Sequence, residues 1–192
     1  MEYLKNNSLF YTLGKERLGD APHDWDEKQK LINIYGIASA MQFLHSNNVI
    51  HRDLKTLNIL KDENYLPRVA DFGFSKIIHS NADSLSLQST NGLKGTCQYI
   101  APEIFRDNDY SKKSDVYAFG IIVYEIITNE IPFKNFSQFE IMQKVPNGER
   151  PKFLYEIPEC YKSLIEECWK DDPNERPTFD EIVENLENNR DF

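Results

Sequence analysis

Residues 116–127, Val-Tyr-Ala-Phe-Gly-Ile-Ile-Val-Tyr-Glu-Ile-Ile, constrain the chain most, because a segment apolar on every side must lie inside a core or a membrane. The run is interrupted by Glu125 and falls well short of the roughly 20 residues a membrane span needs. It therefore predicts a buried helix over 116–128, with the rest of the fold packed around it.

The chain is long enough to do so. At 192 residues, surface scaling gives about 9,500 Å² exposed when folded against about 33,000 Å² unfolded, so a single core needs no metal or disulfide staple. With 40% hydrophobic and 28% charged residues and a mean hydropathy of −0.58, the composition excludes a disordered chain and predicts one compact domain.

A net charge of −9 opposes a surface for binding nucleic acid, since phosphates would meet a repulsive mean field. Cys97, Cys160 and Cys168 are odd in number and have no C-x-x-C spacing, which argues against a disulfide framework or zinc knuckle. That usage points to a reducing, intracellular compartment and hence the cytoplasm. The start, Met1-Glu2-Tyr3, has no basic region followed by an apolar one, so no signal peptide is expected.

From Asp26 onward, Leu31, Ile34, Ala38, Met41 and Leu44 recur at steps of three and four, predicting a long amphipathic helix that stops at Asn47-Asn48. The short apolar pieces Val49-Ile50, Ile59-Leu60 and Val69-Ala70 read as brief strands between loops. Between Ser75 and Lys94 periodicity disappears, which predicts a long connection that is both functional and mobile. Helical patterns return at 116–128, 139–144, 160–169 and the C-terminus, where Thr178-Phe179-Asp180-Glu181 forms a capping box.

His51-Arg52-Asp53-Leu54-Lys55-Thr56-Leu57-Asn58 matches H-R-D-L-x-x-x-N, followed in order by Asp71-Phe72-Gly73 and Ala101-Pro102-Glu103. A given tripeptide arises by chance in about one such chain in forty, but three motifs in fixed order remove coincidence. The set resembles the eukaryotic protein kinases. Phe74-Ser75-Lys76, Asp115-Val116-Tyr117-Ala118-Phe119-Gly120, Cys168-Trp169, Asp172-Pro173 and Arg176-Pro177 refine the resemblance to the tyrosine-kinase-like group of serine/threonine kinases.

The resemblance implies one mainly α domain with short β-hairpins over 1–192, the C-terminal lobe of a protein-kinase-like fold. Its parts would be a hinge at 1–7, a catalytic loop at 51–58 and an activation segment at 71–103. The implied function is transfer of the ATP γ-phosphate to Ser or Thr hydroxyls of a protein substrate. Asp53 would accept the hydroxyl proton, Lys55 would contact the transferred phosphate, and Thr96 would tie the docking loop Gly95–Ile100 to both. Asn58 and Asp71 would hold Mg2+, a hard cation that prefers oxygen ligands. Glu2, Leu4, Lys55, Asn58, Leu60 and Asp71 would contact ATP, while His51, Phe72 and Leu60 would pack in the spine linking the lobes. Asp115 would cap the catalytic loop, and Glu103 would pair with Arg176. The Gly95-Thr96 pair favours Ser/Thr over Tyr.

These residues contain no G-x-G-x-x-G-x-V loop and no V-A-I-K lysine. A chain lacking that lobe is expected to be a poor enzyme, with His51, Phe72 and Leu60 exposed as an apolar patch. The alternative is a protein-binding module that transfers no phosphate, although such a module would not need Asp53, Asn58 and Asp71. Ser84, Ser86, Ser89 and Thr90, with Arg52 beside the catalytic Asp53, suggest a phosphorylation-controlled loop. The oligomeric state stays open.

Overall fold

A computed structural model describes residues 7–77, 96–189, 191 and 192. Its centre is α4 (Lys112–Thr128), in which fourteen of seventeen residues are buried. The helix begins four residues before its apolar run, because Ser111 and Ser114 form a capping box ahead of it. It ends at Asn129, whose left-handed φ of 54° turns the chain out of the helix.

Against α4 pack α2 (Glu27–Ser46) and α6 (Glu159–Cys168), while α7 (Phe179–Asn188) lies against α2. Gly120 permits the α4–α6 approach: a Cβ there would lie 2.7 Å from the Cys168 Cβ. The predicted stripe of α2 is mostly right, with Ile34, Ala38 and Met41 buried, but Leu31 and Leu44 are only half-buried. Their expected places are shared with Lys30, Asn33 and His45, polar residues that take partners inside. Asp26 caps the helix by accepting from the Gln29 amide at 2.8 Å. The capping box of Thr178 and Glu181 opens α7 as expected.

Two helices carry no signal that periodicity could reveal. Helix α1 (Leu9–Arg17) has no side-chain cap at Ser8, and α3 (Pro102–Asp107) is only six residues long. The strands form two small antiparallel pairs. In one, β1 (Val49–Ile50) pairs with β4 (Lys76–Ile77); in the other, β2 (Ile59–Lys61) pairs with β3 (Pro67–Val69), Leu60 facing Arg68. The expected strand at Val69-Ala70 thus lies two residues earlier, and the connection after Ser75 opens with a strand. Helix α5 (Gln138–Lys144) has its own capping box from Ser137 and Glu140. This is the expected mainly helical lobe with short hairpins.

The three cysteines are free, and Cys97 and Cys168 are buried. Burial pushes both thiols up from their ordinary value. Among the described residues no helix is long and apolar enough to cross a membrane.

Candidate active site

The loop between β1 and β2 is held from α4. Asp115, at the start of that helix, is buried and spends both carboxylate oxygens on the loop: Oδ2 accepts from the His51 amide at 2.8 Å and Oδ1 from the Arg52 amide at 2.9 Å. His45 Nε2 lies 3.0 Å from Oδ2, joining α2 to the same group. Arg52 has φ of 70°, a left-handed conformation that costs a non-glycine residue on the order of 1–3 kcal/mol. Hydrogen bonds to an ionised carboxylate are worth about 1.5–3 kcal/mol each, enough to hold that kink.

The kink sends Asp53 into a small pocket shared with Lys55, Thr96, Tyr99 and Tyr110. Lys55 Nζ reaches both Asp53 oxygens, at 3.0 and 2.8 Å. Asn58 Nδ2 donates to Asp53 Oδ2 at 2.9 Å and to its backbone carbonyl at 2.8 Å. A 3-10 turn over Thr56–Asn58 closes the loop so that Asp53, Lys55 and Asn58, spread over a span of five residues, converge. Both lysine and amide fix the carboxylate, and because Asn58 faces Asp53 with its Nδ2, its Oδ1 is turned away from that carboxylate.

Asp71 follows from β3. The Ala70 amide donates to the Asn58 carbonyl at 2.9 Å, so Asp71 begins one residue beyond the pairing that holds Asn58. It too is left-handed, with φ of 64°, but it is exposed, and among the described residues its one side-chain hydrogen bond is from the Gly73 amide at 3.3 Å. Phe72 beside it is 49% exposed and lies 5.4 Å from the His51 ring. His51 itself is fully buried, its Nε2 3.0 Å from the Ala70 carbonyl, and Leu60 is half-buried. The expected apolar patch therefore reduces to Phe72, because the imidazole has a backbone partner that turns it inward. Phe72 instead borders an apolar groove of about 530 Å³ with Leu44, Leu66 and Val69.

Thr96 lines the Asp53 pocket, but no hydrogen bond joins its hydroxyl to Asp53 or Lys55 among the described residues. The segment that follows Thr96 is tied down by another residue. Tyr99 donates to Glu125 of α4, and its hydroxyl lies 2.9 Å from Thr56 Oγ1. Glu125 also accepts from Arg17 of α1 at 3.1 Å. Burial raises the Glu125 carboxyl above its ordinary value, with Tyr99 and Arg17 opposing the shift. The one charge in the apolar run thus joins α1, the loop between β1 and β2 and the segment after Thr96, a role its interruption of the run could have signalled.

Arg176 and Glu103 form the expected buried pair, bidentate at 2.8 and 2.7 Å. Arg176 further donates to the carbonyls of Lys113, Lys170 and Asp171, which uses all five of its N–H groups. The pair locks α3 to α4 and to the turn before α7. Glu2 and Leu4 of the expected hinge, and Ser84, Ser86, Ser89 and Thr90 of the expected phosphorylation-controlled loop, lie outside the described residues.

A family model described as protein tyrosine and serine/threonine kinase matches residues 1–186. The chain is similar to a Dictyostelium discoideum protein named "Probable LIM domain-containing serine/threonine-protein kinase", 46% identical over 150 residues, which are 78% of this chain and 22% of that protein. It is also similar to serine/threonine-protein kinase CTR1 of Arabidopsis thaliana, 36% identical over 96% of this chain and 22% of that protein. The RGS domain-containing serine/threonine-protein kinase A of Dictyostelium discoideum is 35% identical over 97% of this chain and 16% of that protein. The chain spans about a fifth of the length of such curated relatives. With its motifs in order, its loop hung from α4 and a family model covering nearly its whole length, the chain belongs to the protein tyrosine and serine/threonine kinase family, as a C-terminal lobe of that fold.

Proposed function

We propose that this chain is the substrate- and metal-binding part of an ATP-dependent protein serine/threonine kinase, which moves the γ-phosphate to a Ser or Thr hydroxyl. The observation that carries the reading is the Asp53 carboxylate, fixed by Lys55 and Asn58 on a loop braced by Asp115. Phosphoryl transfer asks little covalent chemistry of the protein and much positioning, which such bracing supplies. Asp53 accepts the proton of the attacking hydroxyl, and Lys55 stands beside it as the cation that meets the transferred phosphate.

Asn58 and Asp71 suit Mg2+, since both offer oxygen and neither is locked into an ion pair. Among the described residues no three His, Cys, Asp or Glu groups cluster into a protein cage, consistent with an ion that takes one or two protein oxygens and completes its shell from phosphates and water. When bound, Mg2+ would neutralise charge on the phosphates. The Glu2 carbonyl and Leu4 amide would face the adenine. The relatives named above as serine/threonine kinases support the choice of hydroxyl.

The test uses this chain carrying a glycine-rich ATP-binding lobe ahead of residue 1. Asp53→Asn is expected to remove phosphate transfer to a Ser/Thr peptide while leaving nucleotide affinity unchanged. Transfer within a few-fold of wild type would refute the assignment and favour the binding-module alternative.

A further inference from the structure

Strand alternation puts Lys61 on the same face of β2 as Ile59, and both are fully buried. The Lys61 amide donates to the Asn7 carbonyl at 3.0 Å and its Cα faces Pro67, so the side chain cannot swing outward without breaking the hairpin. Its Nζ sits 3.6 Å from the centre of the Trp25 ring and 5.7 Å from that of Tyr65, with no hydrogen-bond partner among the described residues. Trp25 in turn donates its indole N–H to Glu16 Oε2 at 2.8 Å, and Lys30 holds Glu16 Oε1 at 2.9 Å. Two buried cations therefore share one acid, and the one without a direct bond rests on an aromatic face.

We propose that Lys61, Trp25 and Glu16 form a proton-operated latch between α1 and β2. Protonated, the ammonium has only the Trp25 face and the pull of Glu16 to offset its burial, so the 18–26 connection loosens over the hairpin and lets water reach it. Neutral, the amine lies on the Trp25 face with no charge to bury, and the connection closes over the hairpin.

The groups around it are few. Glu16 faces it from α1, Lys30 and Glu27 come from α2 as an ion pair, and Tyr65 and Asp62 come from the hairpin turn, where Asp62 holds Arg68. On the connection itself, His23 and Asp24 pair with each other in solvent. Burial lowers the Lys61 amine from 10.5 to about 7, with Glu16 opposing the shift, so the latch would operate near neutrality. Arg17, the neighbour of Glu16 on α1, holds Glu125 and through it Thr56 and Tyr99. The latch would thus bear on the seat of the catalytic loop, yet its test does not depend on the kinase reading.

The chain has two tryptophans, whose indole N–H resonances can be followed by NMR from about pH 5.5 to about pH 9. The Trp25 signal is expected to titrate with a midpoint near 7, to stay flat in Lys61→Met and in Lys61→Arg, and to keep its midpoint in His23→Asn. A second reading is thermal. The unfolded chain binds more protons than the native one between about 7 and 10.5, so wild-type stability rises with pH across that window. The melting temperature of Lys61→Met should exceed that of wild type most at pH 7 and below, with the gap closing as pH climbs. A flat wild-type Trp25 signal, a titration that survives in Lys61→Met, loss of the midpoint in His23→Asn, or a pH-independent gap would each overturn the latch.

Discussion

Arg52 and Asp71 share one backbone conformation and almost nothing else. Both are left-handed, at φ of 70° and 64°, and both adjoin a residue assigned to the reaction or are one. Arg52 belongs to a residue type that adopts this conformation at a cost, and two amides bonded to the buried Asp115 hold its segment there. Asp71 tolerates the conformation with little penalty, accepts from its own turn at Gly73, and lies exposed. The contrast teaches that the two halves of the site are built differently. The side proposed to accept the hydroxyl proton, Asp53 with Asn58 bonded to it, is set by the core through α4, whereas Asp71, proposed to meet the metal, has among the described residues only its local bond from Gly73 and is left to be set by what binds it.

The severest test of the core side is Arg176→Met, which strands Glu103 in a buried site and is expected to cost about 3–5 kcal/mol by urea denaturation. In a double-mutant cycle with Glu103→Gln, the double variant should cost less than the sum of the two single changes; strict additivity would reject the contact. Next is Asp115→Ala, which removes two charge-assisted bonds to the loop and is expected to cost about 3 kcal/mol or slightly more. Adding Arg52→Gly should return part of that loss, because glycine adopts the left-handed conformation freely. Smallest is Asp71→Asn, expected to change stability by less than about 0.5 kcal/mol while weakening magnesium-dependent nucleotide binding in the two-lobe protein. A stability cost like that of Asp115→Ala would erase the comparison.

The sequence disclosed what local physics writes locally. Helix α4 was legible because a run apolar all round has one destination, and α7 because Thr178 and Glu181 spell a cap. Helix α1 was not, since Phe10 and Tyr11 point outward and its stability comes from burying Leu9 and Leu13 against distant elements. Strand β4 was invisible for the same reason: two residues acquire meaning only by pairing with Val49 and Ile50. In α2 an apolar stripe could not announce that Lys30 and His45 would be buried, because their acids, Glu16 and Asp115, come from elsewhere in the chain. The motif positions Asp53, Asn58 and Asp71 were readable as letters, while Asp115 and the Glu103–Arg176 pair came from the family resemblance and not from spacing. Lys61 did leave a signal, since alternation with Ile59 pointed it inward.

Amide hydrogen exchange on the 192-residue chain tests the asymmetry most directly. The His51 and Arg52 amides, bonded to a buried carboxylate of the central helix, should exchange only through global unfolding, and the Gly73 amide should exchange orders of magnitude faster. Protection of Gly73 equal to that of Arg52, or an Arg52 amide as open as Gly73, would contradict the view that the core sets one half of the site and leaves the other loose.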